Sequence, residues 1–154
     1  MKNLNFKSFL EVEFMSDVDE TMSKLPKSHS KLIKKYKFHP EKDNTLKGDE
    51  EHVGEIDEKN KKIKVAAPWH YSREIVVLHE LAHAVWKYKM SNELKSSWKE
   101  LLKKNKKNDK AKQDLNQNDE EIFCMIYAQF YCKNKVSKFE YPKLLDFIKN
   151  EVPK

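Results

Sequence analysis

Residues 75–86 read Ile75-Val76-Val77-Leu78-His79-Glu80-Leu81-Ala82-His83-Ala84-Val85-Trp86. Ile75, Leu78, Ala82 and Val85 recur at i, i+3, i+7 and i+10, the period of a helix with one face in the core. Ser72 suits an N-cap and Glu74 suits the first turn, so the spacing predicts a helix from about Arg73 to Tyr88. Inside it, His79-Glu80-Leu81-Ala82-His83 is an HExxH motif. Residues i and i+4 share a helical face, so both imidazoles can meet one Zn²⁺. Glu80 adjoins the first of them and can reach a water there as a general base. With this composition, chance places the motif in roughly one chain in fifty, so a bare match needs context. The competing reading is a helix with two exposed histidines. The flanks Val76-Val77-Leu78 and Ala84-Val85-Trp86 oppose it, because buried imidazoles and a buried carboxylate are costly unless paired or metal-bound.

Zinc needs a third protein ligand and an open position. The extended motif HExxHxxGxxH is absent, since position 86 is Trp and position 89 is Lys. Glu120 and Glu121 open the apolar stretch Ile122-Phe123-Cys124-Met125-Ile126-Tyr127-Ala128-Gln129-Phe130-Tyr131, expected as a helix over 119–133 buried on most sides. A carboxylate facing that core needs a partner. Yet Asn118-Asp119-Glu120-Glu121 also resembles a capping box with Glu121 at the third helical position. Spacing alone does not separate ligation from capping. Glu121 shares a stripe with Cys124, Met125, Ala128 and Cys132, which suits close packing on the HExxH helix.

Outward from this pair, residues 17–25 and 30–37 carry helical spacing, broken at Pro26 and Pro40, and 41–51 is a polar loop. His52–Asp57 and Lys62–Ala67 predict a hairpin around the polar turn at 58–61. Residues 92–104 are expected as a helix with Leu94, Trp98, Leu101 and Leu102 inward. The lysine-rich stretch 103–118 reads as a mobile connector. A last helix covers roughly 141–150.

HELAHAVW, a spacer of roughly 40 residues and EEIFCMIYAQFY together resemble a gluzincin zinc peptidase, and more closely the lethal-factor-like group. That group includes the anthrax lethal factor catalytic domain and the Pro-Pro endopeptidases. Pro142 followed by Phe147-Ile148 adds to the resemblance, which covers roughly residues 62–154. It implies a zincin-like α+β fold, mainly helical, with a small β-sheet before the HExxH helix. It implies peptide-bond hydrolysis of a protein or peptide substrate, with His79, His83 and Glu121 as zinc ligands and Glu80 as catalytic base. It also places a substrate-pairing edge strand near Lys62–Ala67. The sequence departs from the group at Asp114, where a tyrosine is expected to steady the oxyanion, and at Met125, where a second Glu is expected. His70, Tyr71, Tyr127 and Tyr131 are the substitutes for that donor, each with packing or surface as the plainer role. An alternative implied by these departures is a catalytically weak or inactive zinc-binding interaction protein.

The 154 residues read as one domain, 1–154, with a helical and loop part over 1–60 and a metallopeptidase core over 62–154. Two glycines leave no Gly-rich phosphate loop, which removes the Walker and Rossmann readings. The net charge of +6 is nearly all lysine, and Arg73 is the single arginine. With abundant Asp and Glu, that is a solvated surface rather than a nucleic-acid face. Cys124 and Cys132 are eight residues apart on one predicted helix, too far for a disulfide, so both are expected as reduced, packed thiols. The N-terminal stretch lacks a signal-peptide h-region, and no apolar run is long enough to span a membrane. The expectation is a cytoplasmic protein, or one delivered by a phage or other non-classical route.

Overall fold

The computed structural model describes residues 18–40, 54–65, 73–132 and 141–154. They form a mainly helical α+β architecture: α1 (18–23), α2 (Lys27–Ile33), β1 (Lys37–Pro40), β2 (Gly54–Asp57), β3 (Lys62–Val65), α3 (Arg73–Lys89), α4 (Asn92–Asn105), α5 (Asp109–Asp114), α6 (Asp119–Tyr131) and α7 (Pro142–Asn150). Among the described residues, no helix is long and apolar enough to cross a membrane.

The expected stripe on α3 is present, with Leu78, Ala82 and Val85 fully buried. The helix is buried on a second side as well. Val76, Val77 and Ala84 pack with Val18, Tyr36, Ile63 and Val65, while Leu78, Leu81, Ala82 and Val85 join the larger cluster built on α6. So α3 is the middle layer, with the sheet on one side and the helices on the other. A helix in that position can carry two histidines and a glutamate only where a gap between its neighbours lets them meet partners.

The predicted hairpin is the antiparallel pair β2–β3, in register from Gly54–Val65 to Asp57–Lys62. Its turn ends at Lys61, with φ 50°, and Asp57 accepts from the backbone and side-chain amides of Asn60. His52, Val53, Ala66 and Ala67 lie outside the described residues, as do Ser72 and the loop 41–51. The expectation of a helix through Tyr36 is corrected. Helix α2 stops at Ile33, and Lys37–Pro40 form a strand parallel to β3. Tyr36 is buried among the sheet residues, and its hydroxyl donates to Glu58 at the hairpin turn. A second correction follows from the order β1-β3-β2. Strand β3 is central, with both ladders engaged, and so is not available as an edge for substrate. The edge strand beside α3 is β2.

The lysine-rich stretch after α4 is a third correction. It contains α5, capped by the Asn108 side chain on the Ala111 amide, and anchored by buried Ala111 and Leu115. Two apolar residues four apart suffice for this turn and a half, a signal easily hidden among lysines. Both α4 and α6 begin with side-chain caps, from Ser91 to Leu94 and from Asn118 to Glu121. Trp98 on α4 is fully buried, and its indole N–H donates to the Asp119 carbonyl at the start of α6. This fixes the α6 N-terminus in the core.

A buried polar clamp ties α2 to α6 and to residue 153. His29 is fully buried between the Tyr127 hydroxyl, 2.9 Å from Nδ1, and the Pro153 carbonyl, 2.6 Å from Nε2. A carbonyl only accepts, so Nε2 carries the proton and Nδ1 accepts from Tyr127. Burial lowers the His29 pKa from 6.5, against the raising effect of the Pro153 bond, so the imidazole folds neutral. Its folded pKa is below its unfolded value, so its contribution is present above pH 6.5 and is lost as pH falls below it. His29→Leu is expected to cost about 1–3 kcal/mol at pH 7.5, because Tyr127 loses its acceptor. The difference from wild type should shrink as denaturation is repeated towards pH 5. A difference constant across that range would contradict the clamp.

Candidate metal centre

Helices α3 and α6 make the most extensive helix–helix contact among the described elements. Small residues allow it: Ala82 on α3, and Cys124 and Ala128 on α6, all at most 1% exposed. The contact sets the HExxH face against the first turn of α6. The Asn118 side chain accepts from the Glu121 amide, one half of the expected capping box. The Glu121 carboxylate turns to both histidines. Oε2 lies 3.0 Å from His79 Nε2, and Oε1 lies 3.3 Å from His83 Nε2. Of the two roles open in the sequence, capping and facing the histidines, the carboxylate takes the second, since both its oxygens are directed at the imidazoles.

Glu120 has a separate place. Its Oε1 is 2.8 Å from His83 Nδ1, on the other edge of that ring. With no ion bound, His83 carries a proton on each nitrogen, Nδ1–H donating to Glu120 and Nε2–H facing Glu121, and a cation held by Nε2 would take the place of that second proton. In this arrangement Glu121 meets the two Nε2 atoms, and Glu120 orients one of the rings from behind. The sequence offers Glu120 only as the rival of Glu121 for the third ligand position, with no orienting role. Its neighbour's claim on the family register hid it, although adjacent acids at a helix start can straddle one imidazole.

Glu80 is only 6% exposed, and burial pushes its carboxyl above the ordinary range. Strand β2 lies directly against it. A Cβ on Gly54 would sit 2.5 Å from Glu80 Oε1 and within 2.9 Å of Cγ and Cδ. Glycine at 54 is therefore needed to let the strand pass this side chain. Sequence reading used Gly54 only to exclude phosphate loops.

The donors fit a divalent ion. Ligand atoms bonded at about 2.1 Å in a tetrahedron stand roughly 3.4 Å apart; Glu121 meets His79 and His83 at 3.0 and 3.3 Å, one imidazole on each carboxylate oxygen, and ligand atoms of His79, His83 and Cys124 lie within 4.8 Å of one another. The electrostatics favour a cation at this point. The two imidazoles hold the Glu121 carboxyl far below the usual range, through hydrogen bonds that outweigh burial. Burial alone would lower His83, but hydrogen bonds linking it to Cys124, Glu121 and Glu120 raise it to about 12. Cys124 is the third residue that sequence reading left as packing. Its Sγ and the ligand atoms of His79 and His83 all lie within 4.8 Å of one another. It sits one turn from Glu121 on the same helical face, which was the available signal. Burial raises its thiol to about 12, and neither cysteine is in a disulfide.

The substitutes considered for the oxyanion donor do not converge here. The Tyr127 hydroxyl is fully buried and committed to His29, and Tyr131 stacks at 4.7 Å on Tyr127. His70 and Tyr71 lie outside the described residues. Asp114, where the lethal-factor-like pattern has tyrosine, accepts from the Tyr141 hydroxyl at 2.9 Å and joins α5 to the start of α7. Met125 leaves the group's second Glu without a counterpart at that position, while Glu120, one residue before Glu121, supplies a carboxylate to His83. No family model, curated protein or solved structure matches the chain.

Proposed function

We propose that the chain is a zinc-dependent metallopeptidase of zincin-like fold and HExxH…E type, acting on a protein or peptide substrate. The observation that carries this reading is that Glu121 lies within 3.3 Å of both His79 and His83, with a buried Glu80 next in sequence to the first of them. His79, His83 and Glu121 would hold Zn²⁺, which supplies Lewis-acid polarisation of a scissile carbonyl and of a water. Glu80 takes the proton from that water and passes it to the leaving amine. Burial raises its carboxyl above the ordinary range, which favours its taking up a proton. Gly54 lets β2 press against Glu80 and limits the positions its carboxylate can adopt. No described strand covers the second edge of β2, so an extended peptide laid along it would run beside Glu80.

A second reading, a zinc-binding interaction protein with weak or no turnover, is favoured by one observation. Cys124 stands beside the imidazoles, where a thiolate would compete for the position that water needs.

Glu80→Gln is expected to keep zinc at one ion per chain and to lose peptide-library cleavage by about 10²–10⁴-fold. Cleavage at the wild-type rate would remove Glu80 from the mechanism. Gly54→Ala should act in the same direction with zinc retained, because the new Cβ displaces the Glu80 carboxylate. Unchanged turnover there would mean that the contact with β2 does not position the base. Competition against a chelator distinguishes the two acids on α6. Glu121→Ala should weaken zinc binding by orders of magnitude, and Glu120→Ala by about 10–100-fold. If Glu121→Ala resists the chelator as well as wild type does, Glu121 is not a ligand.

A further inference from the structure

We infer that Cys124 is a fourth protein donor to the ion, so that the resting centre is His79, His83, Glu121 and Cys124 rather than three ligands and a water. The inference rests on the proposed metal site and concerns its ligand set. Bonds of about 2.1 Å to nitrogen and 2.3 Å to sulfur bridge donors up to about 4.4 Å apart through one ion. A tetrahedral angle sets nitrogen and sulfur donors about 3.6 Å apart, and the ligand atoms of His79, His83 and Cys124 already lie within 4.8 Å of one another, so closure by at most about 1 Å, within the reach of side-chain torsions, brings them onto one ion. Cys124 is fully buried on α6, one turn from Glu121, and α6 is held at both ends of this segment. Asn118 caps its start, Trp98 bonds to Asp119, and Tyr127 is tied to His29. The thiol thus cannot turn to solvent, and its polar neighbour is His83.

Coordination would take the thiol proton to solvent as the sulfur–metal bond forms. The consequence is chemical. Two imidazoles, a carboxylate and a thiolate make a closed set of four protein donors, the number that structural zinc sites have. The thiolate also neutralises part of the ion's charge and so reduces its pull on water. Hydrolysis then requires a fifth position or the departure of one donor. Glu121, with a side chain one-third exposed in the first helical turn, is freer to move than Cys124.

Cobalt substitution of the full chain tests this. The metal-stripped protein is loaded with one equivalent of Co²⁺, and its absorption spectrum is recorded. Intense visible d–d bands report a four-coordinate protein site. A near-ultraviolet sulfur-to-cobalt charge-transfer band reports a thiolate ligand. The expected result is both bands in wild type, with the charge-transfer band lost in Cys124→Ser and kept in Cys132→Ser. Visible bands without the charge-transfer band in wild type would overturn the thiolate assignment while leaving the metal site standing. No cobalt spectrum at all would overturn both. Should Cys124→Ser fail to fold, the wild-type spectrum together with that of Cys132→Ser still decides between the two thiols.

Discussion

The contact between α3 and α6 is what the rest of the molecule depends on. It places two imidazoles from one helix and two carboxylates from the other in the same gap. Each of these groups would be costly to bury alone. Together they satisfy one another, with His79 and His83 on Glu121 and His83 on Glu120. Small residues on both helices permit the approach, and neighbouring elements hold it. The sheet covers the far side of α3, α4 anchors the start of α6 through Trp98, and α2 clamps its middle through His29.

The sheet contributes more than cover. Strand β2 passes so close to Glu80 that only glycine fits at position 54. This leaves the glutamate between a strand edge and the helix core, with little access to water, and that burial outweighs the opposing pull of His79 and His83. A buried carboxyl gains a proton more readily than one in solvent. Away from the site, Glu58 shows the opposite case. Burial would raise its carboxyl, but hydrogen bonds from Lys61, Tyr36 and Lys87 overcome it and hold the pKa at about 2.

How much of this was legible in the sequence depended on the length of the signal. The α3 pattern runs for seventeen residues, and the apolar α6 for thirteen, so both were readable with ends accurate to a residue or two. Strand β1 is four residues beginning immediately after a helical pattern, and its parallel partner is more than twenty residues away. No local period announces such a pairing. Helix α5 was hidden because only Ala111 and Leu115 interrupt its charged run. At the site, HExxH has a fixed spacing and is readable by itself. The roles of Glu120, Gly54 and Cys124 arise from contacts between elements, which spacing within one element does not encode. The position of β3 at the centre of the sheet is likewise a fact of topology, and it moves the open edge from the second hairpin strand to the first.

The central claim is that the gap between α3 and α6 is a metal centre built on His79 and His83. X-ray absorption at the zinc edge, on the full chain loaded with one equivalent of zinc, tests it most directly. The account predicts a four-coordinate ion with the outer-shell scattering of two imidazoles, and a sulfur neighbour alongside oxygen. That imidazole signal should vanish in the His79→Ala, His83→Ala double variant. An ion surrounded only by oxygen, with no imidazole scattering, or a spectrum unchanged in the double variant, would contradict it.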